Sequence, residues 1–304
     1  MIRLACVGLL GVTVLGCGGE VEVAAPPPSR LVPVNAPLAL ADSLPRNPAT
    51  LPADDPLAEQ VRYGLRLMND TPALAPDYVG NALSCTNCHL NAGQREKALP
   101  LVGIAGLFPL YRARDGRLVS LEDRIRGCFL RSMNGTAPPY DSSELLALSA
   151  YITWLSEDQP VGQAPDFRGL NRIPEEARLP LADLDVDQGE ALFAQYCVVC
   201  HGADGQGMDL GVAHPGPLWG PQSWNDGAGA ARIYTLAGFI RHAMPLTVPG
   251  MLTDEQAQHL SAYINSHERP VYPNKEVDYP GVEIPLDAVY DPRRFERNPL
   301  FGGE

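Results

Sequence analysis

Apolar residues recur at spacings of three and four along several separate stretches of this chain. In DPLAEQVRYGLRLMND, Leu57, Val61, Leu65 and Met68 would share one side of a helix. DQGEALFAQY predicts a second helix of the same kind. ELLALSAYITWL follows the polar pair Asp141/Ser142, and DEQAQHLSAYI follows Thr253; both read as capped helices. In SLEDRIRGCFLRSMNG, Ser120 and Asp123 form a capping box. Beyond it Leu121, Ile125, Phe129 and Met133 make one apolar row, and Arg124, Cys128 and Ser132 the polar row beside it. In RIYTLAGFIRHAMPLT, Ile233, Leu236, Ile240 and Met244 share a face, and Pro245 places Met244 at the helix end. Almost no stretch alternates at period two, so the pattern predicts an all-α protein.

The pattern repeats. LSAYI occurs at 148–152 and again at 260–264, and the pairs Cys85/Cys88 and Cys197/Cys200 recur at the same offset of 112. The chain therefore reads as two copies of one module, residues 57–160 and 183–268. What lies between and around them lacks a period. Residues 17–56 are rich in Pro and Ala and read as a tether, residues 161–182 as a linker, and residues 269–304 as an extended tail packed over the modules.

Charge and leader narrow the setting. The 304 residues carry 23 Lys+Arg against 36 Asp+Glu, net −13, which argues against nucleic acid as a partner because phosphate binding needs a basic face. A small anion needs only a local cluster of positive charge. MIRLACVGLLGVTVLGC has one early arginine and an apolar run too short to span a bilayer, ending in VLGC. Residues 1–16 read as a signal peptide that resembles the lipoprotein type, with Cys17 as the lipidated residue; a plain signal peptide cut nearby is the alternative. Either reading places the protein on the periplasmic side of the envelope, and the first anchors it to a membrane.

The chemistry sits in the cysteines. CTNCH at 85–89 and CVVCH at 197–201 are Cys-x-x-Cys-His, the attachment motif of c-type haem. On a helical turn the two thiols face the same way and reach one porphyrin, and His89 or His201 supplies the ligand beneath the iron. A redox disulfide or half a zinc site accounts for a single CxxC, but not for two copies each followed by His in an exported chain. Two covalently bound haem c are expected. Helix, CxxCH, loop and closing helix resemble the cytochrome c fold over both modules.

The second axial position of each iron decides between electron transfer and ligand chemistry. In the second module Met244 is the favoured ligand, with His242, Met251 and Met208 as rivals. In the first module Met133 and Cys128 compete, Met133 standing in the apolar row and Cys128 in the polar one. Six arginines crowd residues 112–131. Arg117 and Arg126 read as solvated. Arg124 lies one turn before Cys128 and Arg114 on the loop feeding the helix, where guanidinium forks suit an oxyanion and favour a thiolate at Cys128.

YRARDGRLVSLEDRIRGCFLRSMNG, with CTNCH upstream and CVVCH, Met244-Pro245 and INSHERP downstream, resembles the thiosulfate dehydrogenases. These are dihaem cytochromes c that join two thiosulfates into tetrathionate. The resemblance implies an active-site haem held by His89 and Cys128, a substrate pocket lined by Arg114, Arg124 and Ser132, and a second haem held by His201 and Met244 that passes electrons to an acceptor c-type cytochrome. Some members carry a lysine before the methionine and exchange ligands with redox state; here that position is Ala243, which implies plain His/Met ligation. The same residues would also suit a tetrathionate reductase, and without a role for Cys128 they would suit a simple dihaem electron carrier.

Overall fold

The computed structural model describes residues 30–37, 44–211 and 214–291. The leader, Cys17, and parts of the tether and tail lie outside these residues. In chain order the elements are α1 (Ala58–Asn69), α2 (Thr71–Leu74), α3 (Leu90–Gly93), β1 (Leu110–Arg112), β2 (Arg117–Val119), α4 (Leu121–Arg131), α5 (Ser143–Leu155), α6 (Val186–Tyr196), α7 (Val198–His201), α8 (Ile233–Ala243) and α9 (Asp254–Ser266). Helices and irregular connections make up the described residues except for one antiparallel hairpin, β1–β2, in register Leu110 to Val119 and Arg112 to Arg117. Among the described residues no helix is long and apolar enough to cross a membrane.

Both modules are built on a crossing of their first and last helices. In the first module α1 packs on α5 through Gly64, where a Cβ would sit 2.3 Å from the Ala147 carbonyl oxygen and 2.5 Å from Tyr151 Cβ. In the second α6 packs on α9 through Gly189, where a Cβ would sit 2.3 Å from the His259 carbonyl oxygen. Glycine lets the two backbones meet where any side chain would hold them apart. The buried face of α1 is accordingly Ala58, Val61, Gly64, Leu67 and Met68. The expected row differs at its start: Leu57 is exposed at the helix N-terminus, and Leu65 is half-buried. Gly64 marks the point of closest approach, and Leu67 and Met68 are fully buried on the same face.

The caps predicted for α4, α5 and α9 are in place. Ser120 Oγ accepts from Asp123 N–H while the Asp123 carboxylate accepts from Ser120 N–H. Ser142 caps α5 and Thr253 caps α9. On α4 the row Leu121, Ile125, Phe129 and Met133 is buried in the core, while Arg124, Cys128 and Ser132 are half-buried beside it.

The aperiodic segments are more than spacers. Val32 N–H donates to the Gln94 carbonyl at 2.7 Å and Val32 accepts from Glu96 N–H at 3.0 Å, docking the tether as a strand-like bridge on the first module. The fully buried Arg95 donates to the carbonyls of Val34 and Ala36 at 2.6 and 2.5 Å. The tail runs back over both modules. Tyr279 N–H donates to the Arg114 carbonyl at 2.8 Å, and Asp278 takes a forked ion pair from Arg131 at 2.8 and 2.6 Å. Asp287 binds Arg232 at the start of α8.

Candidate active site

Both CxxCH segments fold as the spacing predicts. In the first, Cys88 and His89 N–H groups bond the Cys85 carbonyl at 3.2 and 2.9 Å; in the second, Cys200 and His201 N–H groups bond the Cys197 carbonyl at 3.1 and 2.9 Å. One turn thus gathers two thiols and an imidazole. In the first module Ser84 and Asn87 cap this turn, and Cys85 Sγ accepts from Thr71 Oγ1 at 3.3 Å.

Cys85, Cys88 and His89 line a cavity of about 860 Å³. Its walls are largely apolar around the motif, with Met68, Leu83, Leu101, Phe108 and Ile152 among them. His89 Nδ1 lies 2.6 Å from the Leu99 carbonyl oxygen. A carbonyl only accepts, so Nδ1 carries the proton and Nε2 keeps its lone pair. Burial, with a smaller push from Arg124, lowers His89 to about 4, which keeps the imidazole neutral and able to bind a metal. These features fit a haem c attached at Cys85 and Cys88.

Cys128 and Ser132 line the same cavity, on the wall built by α4. Arg124 Nη1 donates to Cys128 Sγ at 2.7 Å, which sets a guanidinium directly against the sulfur. Among the described residues Arg124 has no carboxylate partner. Met133 reaches the cavity too, but as a core residue 4% exposed.

The two arginines expected together are separated. Arg114 is not part of the cavity wall. Its Nη1 donates to the Gly227 carbonyl at 2.7 Å and its Nε to Tyr279 Oη at 3.1 Å, so the side chain ties the hairpin to the second module and the tail. Arg112, two positions earlier at the end of β1, lines the cavity instead. It is lowered by burial and by the nearby Arg124 guanidinium, while Asp115 at 3.2 Å holds it charged. Sequence reasoning passed over Arg112 because hairpin and tail contacts, invisible in a local pattern, decide which arginine turns inward. Arg117 pairs with Asp123 at the surface, as its solvated reading implied; Arg126 departs from that reading, half-buried over the Tyr140 ring with its Nε donating to the Pro138 carbonyl at 2.8 Å.

In the second module Cys197, Cys200 and His201 are half-buried, and burial lowers His201 to about 4. His201 Nδ1 is buried with no hydrogen-bond partner among the described residues. Met244 caps α8 and packs, half-buried, with Ala243, Leu90 and Ala98. Its rivals stand elsewhere: Met208 and Met251 are exposed, at 49% and 48%, and His242 Nε2 faces the Arg172 carbonyl at 3.4 Å. The packing of Leu90 and Ala98 with Ala243 also brings the loop that follows His89 against the end of α8.

The comparisons with known proteins follow this division. Residues 79–161 match the SoxA/TsdA cytochrome c domain family, and residues 184–264 match the family of cytochrome c oxidase, cbb3-type, subunit III. The thiosulfate dehydrogenase of Allochromatium vinosum is 44% identical over 74% of this chain and 83% of its own length. That of Stutzerimonas stutzeri is 44% identical over 71% of this chain and 69% of its own. A solved thiosulfate dehydrogenase, TsdBA from Marichromatium purpuratum, superimposes with a TM-score of 0.68 at 39% identity, covering 74% of this chain and about half, 49%, of that one. With two cytochrome c domains, two haem-attachment turns and this degree of likeness, the chain belongs to the thiosulfate dehydrogenase family of oxidoreductases.

Proposed function

We propose that this enzyme oxidises two thiosulfates to tetrathionate at the cavity lined by Cys128. The observation that carries the reading is Cys128 Sγ, lining the cavity of the first CxxCH turn and held at 2.7 Å by Arg124, a guanidinium with no carboxylate partner among the described residues. Cys85, Cys88 and His89 would hold one haem c, with Cys128 as its second ligand; Cys197, Cys200, His201 and Met244 would hold the other. When bound, the haems supply two one-electron acceptors and pass electrons to an acceptor c-type cytochrome.

The chain's own residues do the rest. Arg124 and Arg112 draw the thiosulfate dianion inward, and Ser132 offers a hydroxyl at the C-terminal end of the Cys128 wall. Cys128 sulfur bonds the outer sulfur of thiosulfate, releasing two electrons and leaving an S-thiosulfonate on the side chain. A second thiosulfate attacks that outer sulfur. The Cys128–sulfur bond breaks, tetrathionate leaves, and the electron pair of the broken bond returns to Cys128 as thiolate. Arg114, fixed to Gly227 and Tyr279, holds the hairpin that presents Arg112. In this reading the enzyme acts on the periplasmic side, tethered by lipid at Cys17.

Replacing Cys128 by Gly should reduce thiosulfate oxidation with ferricyanide by at least roughly a thousandfold, the scale of losing a covalent nucleophile. Both haems should remain attached, as read by the pyridine haemochrome spectrum. Retained turnover in C128G would leave a dihaem electron carrier. Faster tetrathionate reduction than thiosulfate oxidation under matched driving force would make the enzyme a reductase.

A further inference from the structure

The geometry points to a second anion subsite in the same cavity, built by the linker, that receives the attacking thiosulfate and the far sulfonate of tetrathionate. This inference deepens the proposed reaction and rests on it. The reaction must bring together two species that are each doubly negative. One positive cluster, at Arg112 and Arg124, serves the sulfur bound to Cys128. The second dianion needs positive charge of its own, because like charges in a partly desolvated cavity repel.

The cavity provides it. Its wall continues past the first module to Arg168, Arg172 and Arg178 of the linker and to Arg232 and Tyr234 at the start of α8. Arg232 is already paired, with Asp287 at 2.5 Å. Arg178 stands 5.5 Å from the Tyr234 ring centroid. Arg168 and Arg172 have no carboxylate within ion-pair distance among the described residues, although Asp166, Glu175 and Glu176 lie near them in sequence. Exposed guanidiniums without partners on an acidic protein are ordinarily a solvated surface. Here they share one continuous cavity with Cys128, and the linker's contacts hold them there: Gly162 N–H bonds the Gly106 carbonyl at 2.8 Å, and Gly238 of α8 sits directly against the Asn171 backbone. The chemistry that fits is a sulfonate or sulfate-like oxyanion, bound by forked donors.

The test uses the holoenzyme, the double variant Arg168→Gln/Arg172→Gln, and Arg66→Gln as a surface control that lies outside the cavity. With thiosulfate and ferricyanide, the double variant should lose about fivefold in kcat/KM, mostly through KM. Its dependence on salt between about 20 and 200 mM should be shallower than that of the wild type. Titration of tetrathionate into oxidised C128G holoenzyme should give a Kd about fivefold weaker when both arginines are also replaced. The midpoint potential of the first haem should stay put. Unchanged KM, salt slope and tetrathionate Kd would overturn the subsite. So would a shifted potential with unchanged Kd, which would assign these arginines to the haem carboxylates. If the wild type fails to oxidise thiosulfate, the proposed function fails, and the tetrathionate titration still decides the subsite on its own.

Discussion

At the scale of single residues, the haem-attachment turns were fully legible, because CxxCH chemistry is local: cysteines at i and i+3 meet on one turn whatever surrounds them. The neighbouring rows of α4 were equally legible, Met133 buried and Cys128 beside the cavity. The choice between Arg112 and Arg114 was not, since it depends on Gly227 and Tyr279, more than a hundred positions away. Asp123 illustrates a residue whose work is electrostatic. Hydrogen bonds from Arg117 above all, with help from Tyr140 and the Ser120 N–H, hold its carboxyl well below the usual carboxylate range, against a burial effect that opposes them. A depressed carboxylate contributes stability above its unfolded value and loses it as pH falls toward the folded one. Asp123→Asn should therefore cost about 1 kcal/mol at pH 7. The gap between variant and wild type should begin to close below about pH 4. Urea titrations across pH would read it, and a gap independent of pH would refute the assignment.

At the scale of elements, the long helices α1, α4, α5, α6, α8 and α9 are predicted from period and caps, while the one-turn α2 and α3 and the strands β1 and β2 are not. Three-residue strands are too short to show alternation, and their pairing is fixed by the Arg112–Gly116 turn. The helix crossings were also hidden. Gly64 and Gly189 look unremarkable as letters in an amphipathic pattern, where glycine ordinarily lowers helix propensity. Their value appears only with α5 and α9 in contact. Gly64→Ala should raise intrinsic helicity yet destabilise the first module by about 1–3 kcal/mol, because its methyl has no room against Ala147 and Tyr151. A lower denaturant midpoint would show this. A midpoint equal to or above wild type would mean that the crossing yields more easily than its geometry suggests.

At the scale of the whole molecule, the duplication was readable from an exact offset, but the way its parts are joined was not. Tether, linker and tail have no period, and their roles rest on long-range hydrogen bonds such as Val32 to Gln94 and Asp278 to Arg131. The linker's arginines join the cavity only because the chain folds back between two modules. Asp278 is the main clasp. Its side chain is 2% exposed; it receives both Arg131 nitrogens and Tyr290 Oη at 2.7 Å, with Arg114 Nε 3.9 Å away. Asp278→Ala should cost about 3–5 kcal/mol, because it strands a largely buried guanidinium. Differential scanning calorimetry on the holoenzyme would report it, and a loss below about 1 kcal/mol would show the pair to be solvent-like.

Arg131 waits 147 residues for that carboxylate. Translation runs from the N-terminus, so the whole first module exists as a polypeptide long before its lock is made. The helix that bears Cys128 can acquire this lock only after the second module and the first stretch of the tail, to residue 278, have been synthesised. Maturation of the reactive wall is thus a late event, paced by the arrival of residue 278.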